Sequence, residues 1–349
     1  MKRHARRVAV VLGGSWLMVA VAVADVVTLT PDATTKGAAG GVVRGTVTSE
    51  SPSKVEVKLG NNVTSIPTPE VASIVYDGHP ASLEQAQAKD AAGSLAEAVE
   101  LYKKAATEAA AKPLIAEDAA FGQARATADL AQGDPAKVAE AISLLETFSR
   151  TYKAGRHVGS ALESLAQLQI ARENYPAADA TLAALGKLPK GDERSASLRI
   201  KMLSRKGQTV EAIGEIEKII AASPEGSTRK RDALLAKAEA LVSLKKYGEA
   251  ETLVRSVIKT AGSEDILTQA VAHNTLGGCL RAAGRTKEAL YAYLHTDLLF
   301  SKDKDEHAKA LSQIAQLWRE LKRPDRADEV TERLKQDYPR SPYAQSATP

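Results

Sequence analysis

The 349-residue chain contains one cysteine, three phenylalanines and two tryptophans, and aromatics make up 4% of it. One cysteine excludes an internal disulfide, so stability rests on apolar burial alone. No HExxH, GxSxG, Walker loop or kinase motif set occurs. The six histidines are scattered, and no pair shows metal-ligand spacing. No catalytic residue, metal or cofactor is therefore expected. Acidic residues are plentiful, but most alternate with lysine, as in "EIEKII" and "KDKDEHAK". That is the pattern of solvated helix faces.

The longest apolar run lies at the start. "MKRHARR" is a basic lead, "VAVVLGGSWLMVAVAV" is apolar, and "AVA" at Ala22 to Ala24 fits a small-x-small cleavage site before Asp25. The run is shorter than the roughly 20 residues that span a bilayer. A cleaved signal peptide over residues 1–24 is expected, with export to the periplasm or cell envelope. An uncleaved leader tethering the chain to the inner membrane is the alternative. Residues 1–24 hold Lys2, Arg3, Arg6 and Arg7 and no acid, so cleavage lowers the 47 basic residues to match the 43 acidic ones. A neutral mature chain argues against nucleic acid, which needs a basic surface to displace counterions. Stable membrane insertion is not expected once the leader is gone.

Residues 25–78 read as a small β domain. "DVVTLT", "GVVRGTVTS", "SKVEVKL", "VTSIP" and "VASIVYD" are five short strands, with "GNN" at 60–62 as a turn. Val55, Val57 and Leu59 alternate with Lys54, Glu56 and Lys58, giving one buried and one wet face. "KGAAGG" at 36–41 lacks phosphate-loop spacing and reads as a flexible loop. The pattern G-x-V, S-x-x-x-V-x-V and IP-x-x-x-V-x-x-IVYDG resembles SH3-like or Sm-like barrels that precede helical repeats in exported bacterial proteins. So small a domain is expected to lean on the helices behind it.

From Ala81 the period becomes helical and repeats. Seven alanines recur near the starts of second helices: Ala98, Ala141, Ala178, Ala212, Ala250, Ala289 and Ala327, separated by 43, 37, 34, 38, 39 and 38 residues. Leu276-Gly277, Gly284, Ala289 and Tyr293 form the fullest unit, and Gly93, Ala98, Tyr102 and Ala105 repeat it. Small residues let helices touch where they cross. Glycine after the first helix supplies a left-handed cap. "GDPAKVAEAI" marks a helix start, with Asp134 as N-cap and Pro135 in the first turn. These residues resemble tetratricopeptide repeats, whose unit is about 34 residues. The fold class is thus mostly α: a solenoid of about seven helix hairpins over residues 79–341, preceded by the β domain and followed by a flexible tail at 342–349.

Cys279 and His273 lie six apart on one helix, about 120° away from a shared face, since helical neighbours come at three and four. Cys279 is expected to pack as a small hydrophobe, and Trp318 to pack as well. The resemblance implies a partner groove built from first helices. Carried over, its positions are Lys201, Arg205, Glu239, Asn274, Arg281, Gln316 and Arg319. The set is mildly basic and suits a segment rich in carboxylates. The lysine–asparagine clamp of chaperone-binding relatives is not reproduced, apart from Asn274. The expected function is an exported, non-enzymatic scaffold that holds other proteins or peptide segments in the cell envelope. The alternative is a cell-wall glycan-binding or hydrolytic protein using the repeats as a platform, but the β domain offers it only Tyr76.

Overall fold

The computed structural model describes residues 24–35 and 40–346. The expected signal peptide and most of the "KGAAGG" loop lie outside the described residues. Contacts divide the chain into two compact units that meet at Ser164 and Leu165.

The first unit opens with β1 (Asp25–Leu29), β2 (Val42–Glu50), β3 (Lys54–Leu59), β4 (Asn62–Pro67) and β5 (Val71–Val75). All pairings are antiparallel, in the order β4-β3-β2-β1-β5. The alternation within β3 decides its register: Val55 and Val57 are buried opposite Ile66 and Thr64, while Lys54 and Lys58 are exposed. Leu59, expected on the buried face, is 63% exposed at the strand end, where Asn62 already begins the return. Asp25 is buried, and its carboxylate accepts the Val47 amide at 2.7 Å and the Asp77 amide at 2.6 Å.

The sheet does not bury its own core. Val27, Val55, Ile66 and Ile74 share one cluster with Leu83 and Ala86 of α1 (Ala81–Ala91), Ala98 and Tyr102 of α2 (Leu95–Glu108), and Ile115 and Ala119 of α3 (Pro113–Gly133). The β domain therefore leans on the helices, as its size requires. The unit continues with α4 (Val138–Thr151) and the first half of α5 (Val158–Ala171).

The second unit carries the rest of α5, then α6 (Tyr175–Leu185), α7 (Gly191–Arg205), α8 (Thr209–Ala222), α9 (Thr228–Ser243), α10 (Tyr247–Thr260), α11 (Ile266–Ala282), α12 (Thr286–Leu299), α13 (Lys304–Glu320), α14 (Pro324–Asp337) and α15 (Pro342–Gln345). Odd-numbered helices up to α13 are first helices and even-numbered ones are second helices, giving seven hairpins among the described residues.

The hairpins share a common joint. Each of the seven alanines is the fourth residue of its second helix, and each has no exposed surface. Two residues before the second helix, six hairpins carry a left-handed residue: Gly93, Glu173, Gly207, Lys245, Gly284 and Lys322. The next amide reaches back five residues, as from Lys246 to Leu241 O at 2.9 Å and from Arg285 to Leu280 O at 2.9 Å. This is the Schellman closure, which satisfies carbonyls that the helix end leaves open. At Gly277 the expected close crossing is present, since a Cβ there would lie 2.5 Å from the Tyr293 ring.

The second hairpin departs from this pattern. Asp134 caps Ala136 N at 3.0 Å, but Pro135–Lys137 form a 3-10 turn, so α4 begins only at Val138. Its first helix, α3, is 21 residues long. Residues 342–345, expected in a flexible tail, form α15 instead. Ser341 caps Tyr343 N, Pro342 sits in the first turn of α15, and Ala344 packs with Ala308, Leu311 and Leu334.

Candidate functional site

The expected groove residues all lie on first helices of the second unit. Lys201 and Arg205 stand one turn apart on α7, exposed, with no ion pair among the described residues. Asn274 on α11 donates to Glu306 of α13, at 2.9 Å to its carbonyl and 2.7 Å to its carboxylate. Arg281, two turns further along α11, donates to Gln313 (2.6 Å), Gln316 (2.9 Å) and Glu320 (2.5 Å). Residues 306, 313, 316 and 320 form one stripe of α13, so Asn274, Arg281 and Gln316 share a face. Glu239 of α9 is exposed by area, yet desolvation raises its carboxyl above the ordinary range, with Glu306 adding to the shift and Lys309 opposing it.

Arg319 does not join this stripe. It donates to Asp328 at 3.2 Å and to Thr331 at 3.4 Å, both on α14, because it sits about 100° round α13 from Glu320 and about 120° from Gln313. The basic character expected of the groove is also reduced. Glu320 neutralises Arg281, and Glu239 and Glu306 stand near Lys309. The free positive charge of the face is concentrated at Lys201 and Arg205.

Cys279 is 2% exposed inside the cluster that joins α9 through α14. Burial, with Glu239 and Glu251 nearby, pushes its thiol up to about 11. A thiol held protonated is a poor nucleophile. His273 does not hydrogen-bond to it; the His273 ring stacks between His295, at 4.8 Å, and Phe300, at 5.5 Å. Trp318 is half-buried against the same cluster, as expected.

Sequence reasoning missed a buried polar cluster in the first unit. Arg156, in the turn between α4 and α5, pairs with Glu50 at the end of β2 (2.7 Å) and with Asp118 of α3. His157 Nε2 lies 2.9 Å from Asp118, and its ring stacks on Phe121 at 4.1 Å. Tyr76 donates to Glu50. Burial alone would raise the Asp118 carboxyl, but the His157 hydrogen bond and the Arg156 charge bring it below its ordinary value. Burial pushes His157 down and keeps it neutral, so the proton shared with Asp118 sits on Nε2. Glu117 is 7% exposed and raised to about 7, by burial first and by Glu50 second. Its Oε1 has no hydrogen-bond partner among the described residues. The Glu117 carboxyl lies against Gly155, and a side chain there would have to displace it.

The cluster ties β2, the end of β5, α3 and the α4–α5 turn together. Removing one member of a buried pair costs about 3–5 kcal/mol, because a charge is left uncompensated. One sequence signal was available. Glu117-Asp118 stands in "LIAEDAAFG", where apolar residues flank both carboxylates, unlike the lysine-mixed acids elsewhere.

No family model matches the chain, and no curated protein matches it. Solved structures do. A tetratricopeptide repeat protein from Parabacteroides merdae superposes with a TM-score of 0.54 at 15% identity, covering 73% of this chain and 91% of that one. The fold is that of tetratricopeptide repeats. The apo quorum sensor NprR from B. thuringiensis is similar, with a TM-score of 0.51 at 14% identity over 72% of this chain and 74% of that one. Tetratricopeptide hairpins account for the joint alanines, the left-handed caps and the shared stripe on α11 and α13. No helix among the described residues is long and apolar enough to cross a membrane.

Proposed function

We propose that the protein is an exported scaffold that holds partner proteins in the cell envelope along the first-helix face of its repeats. The observation that carries this reading is the pair Lys201 and Arg205. They are exposed and one turn apart, and they are unpaired among the described residues, on a face whose other charges are largely matched. Unmatched cations on an otherwise satisfied face favour a partner segment with carboxylates, and Arg can bind one in bidentate fashion. Glu239, Arg281 and Gln316 extend the face, while Asn274 is buried beneath it at 2% exposure and holds Glu306 in place. Arg281 supplies hydrogen bonds that a partner can take over from Glu320.

The β domain remains part of the scaffold because its core is continuous with α1 to α3. Export is proposed from the leader, and removal of the leader leaves the mature chain neutral. The test is crosslinking capture from an envelope extract with the whole mature chain as bait. A Lys201→Glu/Arg205→Glu bait runs beside it. A protein held by the first and lost by the second supports the reading; equal capture by both removes these residues from it. The intact mass of the native protein tests export, with loss of residues 1–24 expected.

A further inference from the structure

A second surface lies on α10, α11 and α12, on a different stripe of α11 from Asn274 and Arg281. A groove of about 360 Å³ is floored by Leu276, Leu280 and Ala292, which are at most 5% exposed. Ile258 and Tyr291 stand along its sides. Its continuation along α12 sets exposed apolar residues on either side of the exposed His295, where a second helix should be polar throughout. Tyr291 is 63% exposed and Leu298 is 72% exposed, seven residues apart on one helical stripe, with Leu299 beside them at 63%. A surface helix normally carries charge on its outer face, and exposed apolar residues grouped on one face mark interaction sites.

The charges around the groove say what would cover it. Arg255 is matched by Glu251 at 2.8 Å, and Glu288 by Arg285 at 2.5 Å. Lys259 is exposed and has no ion pair among the described residues. The rim therefore carries one uncompensated positive charge next to an apolar floor. His273 lines the same groove, buried, with Nδ1 making no hydrogen bond among the described residues. Burial lowers its pKa to about 4, so the ring is neutral and adds no charge of its own. Native proteins leave few such buried groups unpaired.

We infer that this groove docks an amphipathic segment of a partner protein, whose apolar side chains seat on Leu276, Leu280 and Tyr291 and whose carboxylate meets Lys259. The inference rests on the scaffold reading only for the class of ligand, a protein segment. It places that segment on a surface separate from Lys201 and Arg205.

The test uses the whole mature chain and a short fluorescein-labelled peptide with Leu at helical i, i+3, i+4, i+7 positions and Glu between them. Two control peptides replace Glu by Lys, or Leu by Ser. Anisotropy should show saturable binding of the Leu/Glu peptide and affinity lower by about tenfold or more for both controls. Lys259→Glu should cost the Leu/Glu peptide about tenfold or more and restore the Leu/Lys peptide. Tyr291→Ser/Leu298→Ser should weaken all binding. Both changes are at exposed positions, and unchanged circular dichroism would confirm that the fold is kept. Lys201→Glu/Arg205→Glu should leave peptide binding intact, so failure here is separable from failure of the first-helix reading. The inference is overturned if the Leu/Glu peptide does not bind, or binds equally to the groove variants. It is overturned too if sedimentation shows a dimer that Tyr291→Ser/Leu298→Ser dissociates, since a second copy then covers the face.

Discussion

Replacing Glu117 by Gln should stabilise the protein, and by an amount that grows with pH. The folded carboxyl has a pKa of about 7 against an ordinary 4.5. The folded state thus binds more protons than the unfolded state between these values, and stability falls as pH rises through that window. The cost is absent below about pH 4.5 and fully present above about pH 7, where the shift corresponds to roughly 3 kcal/mol. Glutamine has nearly the same shape and keeps an oxygen to accept the His157 amide, but it cannot ionise. Urea denaturation followed by circular dichroism at pH 5, 6, 7 and 8 would measure the difference between variant and parent. It should be small at pH 5 and approach about 3 kcal/mol at pH 8. Glu50 and His157 also titrate in the cluster, but they are present in both proteins, so most of their contribution leaves the difference. A difference independent of pH would refute the reasoning, because it would mean that Glu117 ionises in the fold as freely as in water.

Two further predictions concern the repeat joints. Ala250→Leu should destabilise by about 1–3 kcal/mol through overpacking, because Ala250 has no exposed surface where α10 crosses its neighbours; thermal denaturation would show it, and an unchanged melting temperature would mean the crossing is loose. Lys245→Gly and Lys322→Gly should each stabilise by up to about 1 kcal/mol, the left-handed strain relieved less the backbone entropy that glycine loses. Gly284→Ala at the equivalent position should do the opposite, and the same melts compare all three.

Local periodicity carried most of the architecture. A two-residue alternation is a property of the strand itself, so β3 and its neighbours could be placed from Val55, Val57 and the turn at 60–62. Helical repeats are similar, because each hairpin contacts mainly its neighbours and the same small residue is needed at every joint. That is why seven alanines could be set in register from one chain. The groove was legible in part. Register alone placed Lys201, Arg205, Glu239, Asn274, Arg281 and Gln316 on first helices, where the structure has them. Arg319 turns away from the stripe because it lies about 100° round the helix from its neighbour Glu320.

The misses share one cause. Glu50, Tyr76, Asp118, Arg156 and His157 are brought together from β2, the residue after β5, α3 and the α4–α5 turn, across as many as 107 positions between Glu50 and His157. No local period encodes such a meeting, and none predicts that Glu320 would neutralise Arg281. The sequence by itself determined the two kinds of secondary structure, the repeat unit and the residues at each joint, because these are set by backbone geometry and nearest-neighbour packing. Only the tertiary structure decided which charges are spent on one another and which stay free, because pairing depends on distance and burial between segments far apart in the chain.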